Sequence, residues 1–242
     1  RRGYDVFIPD YRGFGKSTGH IVNEAEFLQD GAAAYDYLTR HYPEPQIVIY
    51  GRSIGTGVAV HTAGMRTPRM VILESPFFNL IDLAAFHYPL LPVSLIRSFL
   101  RYPLRTDLWI GKIRCPVYIF HGTADFIIPY RDSERLIPLC GERGRLIRLE
   151  GGGHNNLADF ARYQEELEAI RTELNRLLKK SWEEWQIPRE AEEKWPAKAK
   201  ALLVDWWRLR RARQKEIDES IRRHAEPEPL YNEPYEDRKR IR

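Results

Sequence analysis

Cysteine, methionine and long apolar runs are scarce in this chain. Its 242 residues include two cysteines and two methionines. Two cysteines build no disulfide framework, and neither Cys115 nor Cys140 stands in the spacing of a metal site or a redox pair. Cys115 precedes a strand and Cys140 ends a helix, so both read as structural thiols. No cofactor or metal is expected. No run approaches the roughly 20 apolar residues of a spanning helix. Charge of one sign is scarce too: 19 Lys+Arg face 19 Asp+Glu through residue 170, and 19 face 15 from Arg171 onward. The formal +4 therefore belongs to the carboxyl-terminal part, and neither part carries the concentrated basic surface of a nucleic-acid binder. An initiator methionine is also absent, because the chain opens Arg1-Arg2-Gly3-Tyr4. A secretory leader cannot be read from such a start; a cytoplasmic or membrane-associated location is expected.

What is present is a pentapeptide, Gly51-Arg52-Ser53-Ile54-Gly55. It follows the apolar run Gln46–Tyr50 and opens onto the small residues Thr56–Gly64, which read as a helix. G-x-S-x-G between strand and helix is the sequence form of a nucleophile elbow. The turn is so sharp that small neighbours are expected two residues before and after the serine, and Gly57 is expected to let the helix approach the sheet.

Two partners follow in order. Pro116–Phe120 is apolar throughout, as a buried parallel strand is, and runs into His121-Gly122-Thr123-Ala124-Asp125. Arg145–Glu150 reads as another strand and runs into Gly151-Gly152-Gly153-His154-Asn155-Asn156. A carboxylate past one strand and an imidazole past another, after a serine elbow, give nucleophile, acid and base as Ser53, Asp125 and His154. His154 would take the Ser53 proton, Asp125 would fix the imidazole, and the Ile54 backbone N–H would donate to a developing oxyanion. Glu74 and Asp82 are fallback acids after the preceding strand. His20, His41, His61, His87 and His224 lack the glycine approach of His154, and His121, which ends a strand, is expected to be packed or hydrogen-bonded.

These motifs, with Asp10-Tyr11-Arg12-Gly13-Phe14-Gly15-Lys16-Ser17 and Leu73-Glu74-Ser75-Pro76, resemble the α/β-hydrolase superfamily, including its esterase-like and depalmitoylase-like serine hydrolases. The resemblance covers Gly3 to Leu178 and implies an α/β fold with a doubly wound, mostly parallel sheet. It also marks a departure. Members carry two or three strands before the one expected at Asp5–Pro9, and the loop after the third supplies an oxyanion donor. In the family's strand order, 1-2-4-3-5-6-7-8, that third strand lies between Asp5–Ile8 and Gln46–Tyr50. The expectation is an amino-terminally truncated chain that lacks its first strands and its second oxyanion donor.

The rest fits alternating strands and helices. Helices are expected at Glu24–His41, Arg131–Cys140 and Leu157–Lys180, and a strand at Met70–Leu73. Residues 75–113 read as a short cap shaping an acyl pocket, or as a helical crossover whose aromatics pack on the sheet. Asp10 and Arg12 read as turn and ion-pair residues. The domain expectation is a hydrolase domain over 1–178 and a helical, charged extension over 179–242 with a disordered end. The extension holds Trp182, Trp185, Trp195, Trp206 and Trp207, five of the six tryptophans. Its stripe at 199–214 fits a peripheral membrane contact and equally fits docking on the body or on a partner.

Function is therefore expected to be serine hydrolysis of a carboxylic ester, lipid ester or thioester, through an acyl-enzyme, on a small-molecule acyl substrate and without nucleic acid. The alternative is a catalytically weak hydrolase-fold protein that binds or tethers through its Trp-rich tail. Peptidase or amidase chemistry is a lesser alternative on the same residues. Oligomeric state is left open.

Overall fold

The computed structural model describes residues 5–184. Four strands form one all-parallel sheet in the order β1-β2-β3-β4. They are β1 (Val48–Arg52), β2 (Met70–Glu74), β3 (Val117–Gly122) and β4 (Gly144–Leu149). The register pairs Arg52 with Glu74, Glu74 with Phe120, and Gly122 with Leu149. The carboxyl ends of all four strands thus lie side by side, and the residues that follow each strand share one edge of the sheet.

Period-2 alternation splits the strands between two cores. Val71, Leu73, Val117 and Ile119 face Ala59, Val60 and Ala63 of α2 (Gly55–Met65) and Leu136 and Cys140 of α6 (Arg131–Cys140). Met70, Ile72, Phe120, Ile147 and Leu149 face Tyr163, Ile170 and Leu174 of α7 (Ala161–Glu184). With helices on both faces, β2 is buried at all five positions, which is why it reads as an unbroken apolar run rather than an alternating one. Each fully buried large side chain contributes about 1.5–3 kcal/mol, so Leu73 and Phe120 weigh heavily in the sheet.

A third cluster joins Phe27 and Leu28 of α1 (Glu24–Thr39) to Val58, Phe77, Leu104 and Ile128. Asn23 caps α1 by accepting from the Glu26 N–H at 3.0 Å, and the Glu26 carboxylate reaches back to the Val22 N–H at 3.0 Å. This is close to a capping box, displaced by one residue. Residues 75–113 carry α3 (Leu80–His87), α4 (Val93–Phe99) and α5 (Thr106–Trp109). Among the described residues no helix is long and apolar enough to cross a membrane.

One expectation is corrected. Asp5–Pro9 forms no strand, and Val6 and Ile8 are exposed. A strand exists only through hydrogen bonds to a neighbour. No described strand pairs with this segment, so its apolar content cannot make it one. Tyr42 donates to Asp5 instead, and Phe7 stacks on Tyr37. The expected extension beyond residue 184, with its 199–214 stripe, lies outside the described residues.

Candidate active site

Ser53 follows β1 directly and holds φ at 51°, in the left-handed region that disfavours side chains. Strain of this kind, of order 1–3 kcal/mol, persists only where surroundings over-determine it. Here the Ser53 N–H donates to the Glu74 carbonyl at 3.0 Å, while the Ser53 carbonyl accepts from the Thr56 N–H at 2.9 Å and the Thr56 hydroxyl at 2.6 Å. The turn is clamped from both sides and lifts Oγ off the sheet edge.

The expected glycine requirement holds on one side only. A Cβ at Gly51 would lie 2.6 Å from the Ala59 Cβ and 2.9 Å from the Gly55 carbonyl oxygen. At Gly55 it would meet only the Tyr11 hydroxyl, at 3.8 Å. Gly51 is pressed between strand and helix, whereas Gly55 has already entered the first turn of α2 and faces open space. Gly57 is tight but less so, 3.0 Å from the Phe77 ring.

Asp125 and His154 arrive on two adjacent turns that glycine lets touch. A Cβ at Gly122 would stand 2.1 Å from the Gly152 carbonyl oxygen. The bare backbones pack instead, and the Ala124 N–H donates to Gly152 O at 2.9 Å. In consequence His154 Nδ1 lies 2.8 Å from Asp125 Oδ2, and its Nε2 lies 3.0 Å from Ser53 Oγ. A carboxylate only accepts, so Nδ1 carries the proton and Nε2 is left to accept from the serine hydroxyl.

The carboxylate is held from several sides. Oδ1 accepts from the Ile127 and Ile128 N–H groups, each at 2.9 Å. Oδ2 also lies 3.4 Å from His121 Nε2, whose shorter bond, at 2.9 Å, goes to the Ile128 carbonyl. Burial pushes the Asp125 pKa up, but bonds from His121, the Ile128 N–H and His154 outweigh it and hold the pKa below the ordinary carboxylate range. Asp125 is thus a charged acceptor at neutral pH.

The other candidates fall elsewhere. Glu74 is buried beneath the elbow, where it accepts from the Tyr163 hydroxyl and lies 3.7 Å from Arg52 Nε. Asp82 pairs with Arg135 at 2.7 Å. His61 packs on Trp109, His41 on Tyr37, and His87 donates to the Ile127 carbonyl at 2.8 Å. Arg12 pairs with Asp30 at 2.7 Å, and Asp10 accepts from the Lys16 N–H. Burial raises the thiols of Cys115 and Cys140 to about 11. Ile54 is the N-cap of α2, so its N–H has no intrahelical partner and lies beside Ser53. Among the described residues no group of three or more His, Cys, Asp or Glu could hold a metal.

Two contributors escaped sequence reasoning: Arg52 and the Gly122–Gly152 contact. Arg52 donates to the His154 carbonyl at 3.0 Å and to Asn155 Oδ1 at 2.7 Å. His121 is fully buried, with Nδ1 2.6 Å from Ser133 Oγ. This is the packed, hydrogen-bonded state expected of a histidine at the end of a strand. An open hollow of about 430 Å³ lies among the helices of residues 75–113, lined by Leu80, Leu83, Ala84, His87, Tyr88 and Leu100.

Comparison with known proteins bears on this arrangement. A family model described as serine aminopeptidase, S33, matches residues 1–102. An uncharacterized protein of Mycobacterium tuberculosis is 34% identical over 156 residues, covering 64% of this chain and 54% of that protein. Alpha/beta hydrolase domain-containing protein 17B of Xenopus tropicalis is 31% identical over 170 residues, covering 70% of this chain and 57% of that one. The chain thus spans about half the length of the curated relatives it matches. Among solved structures, a monoacylglycerol lipase from Paleococcus ferrophilus superposes with a TM-score of 0.51 at 19% identity, covering 69% of this chain and 82% of that one. That likeness concerns the fold alone. The chain belongs to the α/β-hydrolase superfamily.

Proposed function

We propose that the chain is a serine hydrolase cleaving a carboxylic ester, lipid ester or thioester through an acyl-enzyme. The observation that carries the reading is the unbroken hydrogen-bond path from Ser53 Oγ through His154 to Asp125, at 3.0 and 2.8 Å. Ser53 Oγ attacks the acyl carbon as His154 Nε2 takes its proton, and the charge that develops on the carbonyl oxygen meets the Ile54 N–H. The carbon–oxygen or carbon–sulfur bond then breaks, and His154 returns the proton to the departing alcohol or thiol. Water attacks the Ser53 ester by the same steps reversed. Asp125 keeps the imidazole in its Nδ1–H tautomer and offsets its transient positive charge.

The apolar lining of the cap cavity favours an acyl group over a charged one. The S33 description favours a second reading, amide hydrolysis at an amino terminus. Labelling by a fluorophosphonate probe, wild type beside Ser53→Ala, tests the nucleophile. Turnover of p-nitrophenyl acyl esters against aminoacyl p-nitroanilides tests the leaving group. A folded protein that neither labels nor turns over any of them refutes the catalytic reading.

A further inference from the structure

The outer face of the cap is apolar well beyond what scattered surface residues produce. Every residue from Phe86 to Leu95 is exposed, and within α4 only Ile96 is buried. Leu90 is 95% exposed and Phe99 78%, and Leu91, Val93 and Leu95 join them. The patch continues past the cap. His87 of α3 bonds the Ile127 carbonyl, and Phe126 and Ile127, directly after Asp125, are themselves exposed.

Charge within the stretch that carries this face has one sign. No acidic residue occurs from Leu83 through Thr106. The acids that flank the stretch are engaged, Asp82 by Arg135 and Asp107 by Arg105. Arg97 and Arg101 are exposed and form no ion pair among the described residues. Protruding leucine and phenylalanine beside unneutralised arginine is the composition of a surface that enters the headgroup layer of an anionic bilayer. A second copy of the chain would be a poorer occupant. A two-fold pairing of this face would bring its arginines to a stretch that carries no acid of its own.

We propose that the cap face, Phe86–Tyr102 with Phe126 and Ile127, is a docking surface for anionic lipid membranes. Docking by this face needs no chemistry at Ser53. Its failure and the failure of the hydrolase reading are therefore separable.

The test is co-sedimentation of the full chain with phosphatidylcholine vesicles and with mixed phosphatidylcholine–phosphatidylglycerol vesicles. The variants are Leu90→Asp with Phe99→Asp, Arg97→Glu with Arg101→Glu, and Ser53→Ala, with thermal unfolding as the control for folding. Wild type and Ser53→Ala should partition alike and favour the anionic vesicles, less so as salt rises. The aspartate pair should weaken partitioning to both vesicles by about tenfold or more, and the charge-reversed pair should abolish the anionic preference. Because Arg97 and Arg101 are exposed, the second pair decides the matter should the first misfold. Absence of wild-type partitioning overturns the proposal, as does partitioning unchanged in the arginine pair. A dimer that the aspartate pair dissociates, without vesicle binding, overturns it in favour of self-association.

Discussion

Arg52 ties the elbow to the loop that carries His154. Its Nη2 donates to the His154 carbonyl at 3.0 Å and to Asn155 Oδ1 at 2.7 Å, while its Nε faces the buried Glu74 carboxylate at 3.7 Å. The residue before the serine thus sets the height of the imidazole over it. Arg52→Ala should lower kcat about 10- to 100-fold with KM nearly unchanged, because a misplacement of about 1 Å is worth that much. The side chain is partly exposed, so unfolding should shift by less than about 1 kcal/mol. Lysine lacks the planar fork and should restore only part of the rate. A loss confined to KM would argue that Arg52 touches substrate instead.

The two glycines of the elbow should behave differently. Gly51→Ala drives a methyl group against Ala59 and the Gly55 carbonyl and should destabilise by about 1–3 kcal/mol. Gly55→Ala meets no such obstacle and enters a helix, where alanine is favoured over glycine by up to about 1 kcal/mol. It should be neutral or stabilising. Urea midpoints of the two variants check both signs at once.

That contrast shows what a sequence does and does not make legible. The nearness of Ser53, Asp125 and His154 could be read because parallel register lines up the strand ends, so residues that follow different strands become neighbours. The motif favoured Asp125 over Glu74 and Asp82; in the structure Asp125 lies 2.8 Å from His154, Glu74 points to Tyr163 and Asp82 to Arg135. What stayed hidden depends on pairs distant in sequence. Nothing local to Gly122 says that Gly152 will press on it, and nothing local to Arg52 says that it will reach His154. Asp5–Pro9 misled for the complementary reason: its apolar residues fit a strand, but pairing is a property of two segments, and the described residues supply only one.

His121 should contribute to stability through Ser133. The two are fully buried, and His121 Nε2 faces the Ile128 carbonyl and the Asp125 carboxylate, so it carries the proton. Nδ1 is then the acceptor for the Ser133 hydroxyl at 2.6 Å. Ser133→Ala strips a buried acceptor of its donor and should cost about 1–3 kcal/mol in chemical denaturation. Ser133→Thr keeps the hydroxyl and should recover part of that loss. Equal losses in both would mean that packing, not the hydrogen bond, sets the cost.

Acid stability should follow Asp125. Its folded-state pKa lies below the ordinary carboxylate value of about 3.9, so the unfolded chain binds its proton first as pH falls. The stabilisation is complete above that ordinary value and is lost on going below it towards the folded pKa. Thermal midpoints should therefore drop more steeply in wild type than in Asp125→Asn below about pH 4, with little difference in slope above pH 5. Parallel curves throughout would assign the acid limb to other carboxylates.

The cap cavity should set acyl-chain preference. Ala84 lies on α3 among Leu80, Leu83, Tyr88 and Leu100, around a space of about 430 Å³. Apolar pockets discriminate by about 1–3 kcal/mol per methylene at most, so a long chain gains from this space and a short one does not. Ala84→Trp fills part of it with an indole ring. The ratio of kcat/KM for p-nitrophenyl octanoate over p-nitrophenyl acetate should fall about tenfold or more. Acetate itself should change by less than about twofold, because the variant leaves Ser53, His154 and Asp125 untouched. An equal fall on both esters would mean that the indole disturbs the site through α3 and its His87–Ile127 bond. An unchanged ratio would send the acyl chain elsewhere over the strand ends and leave the cavity without a part in specificity.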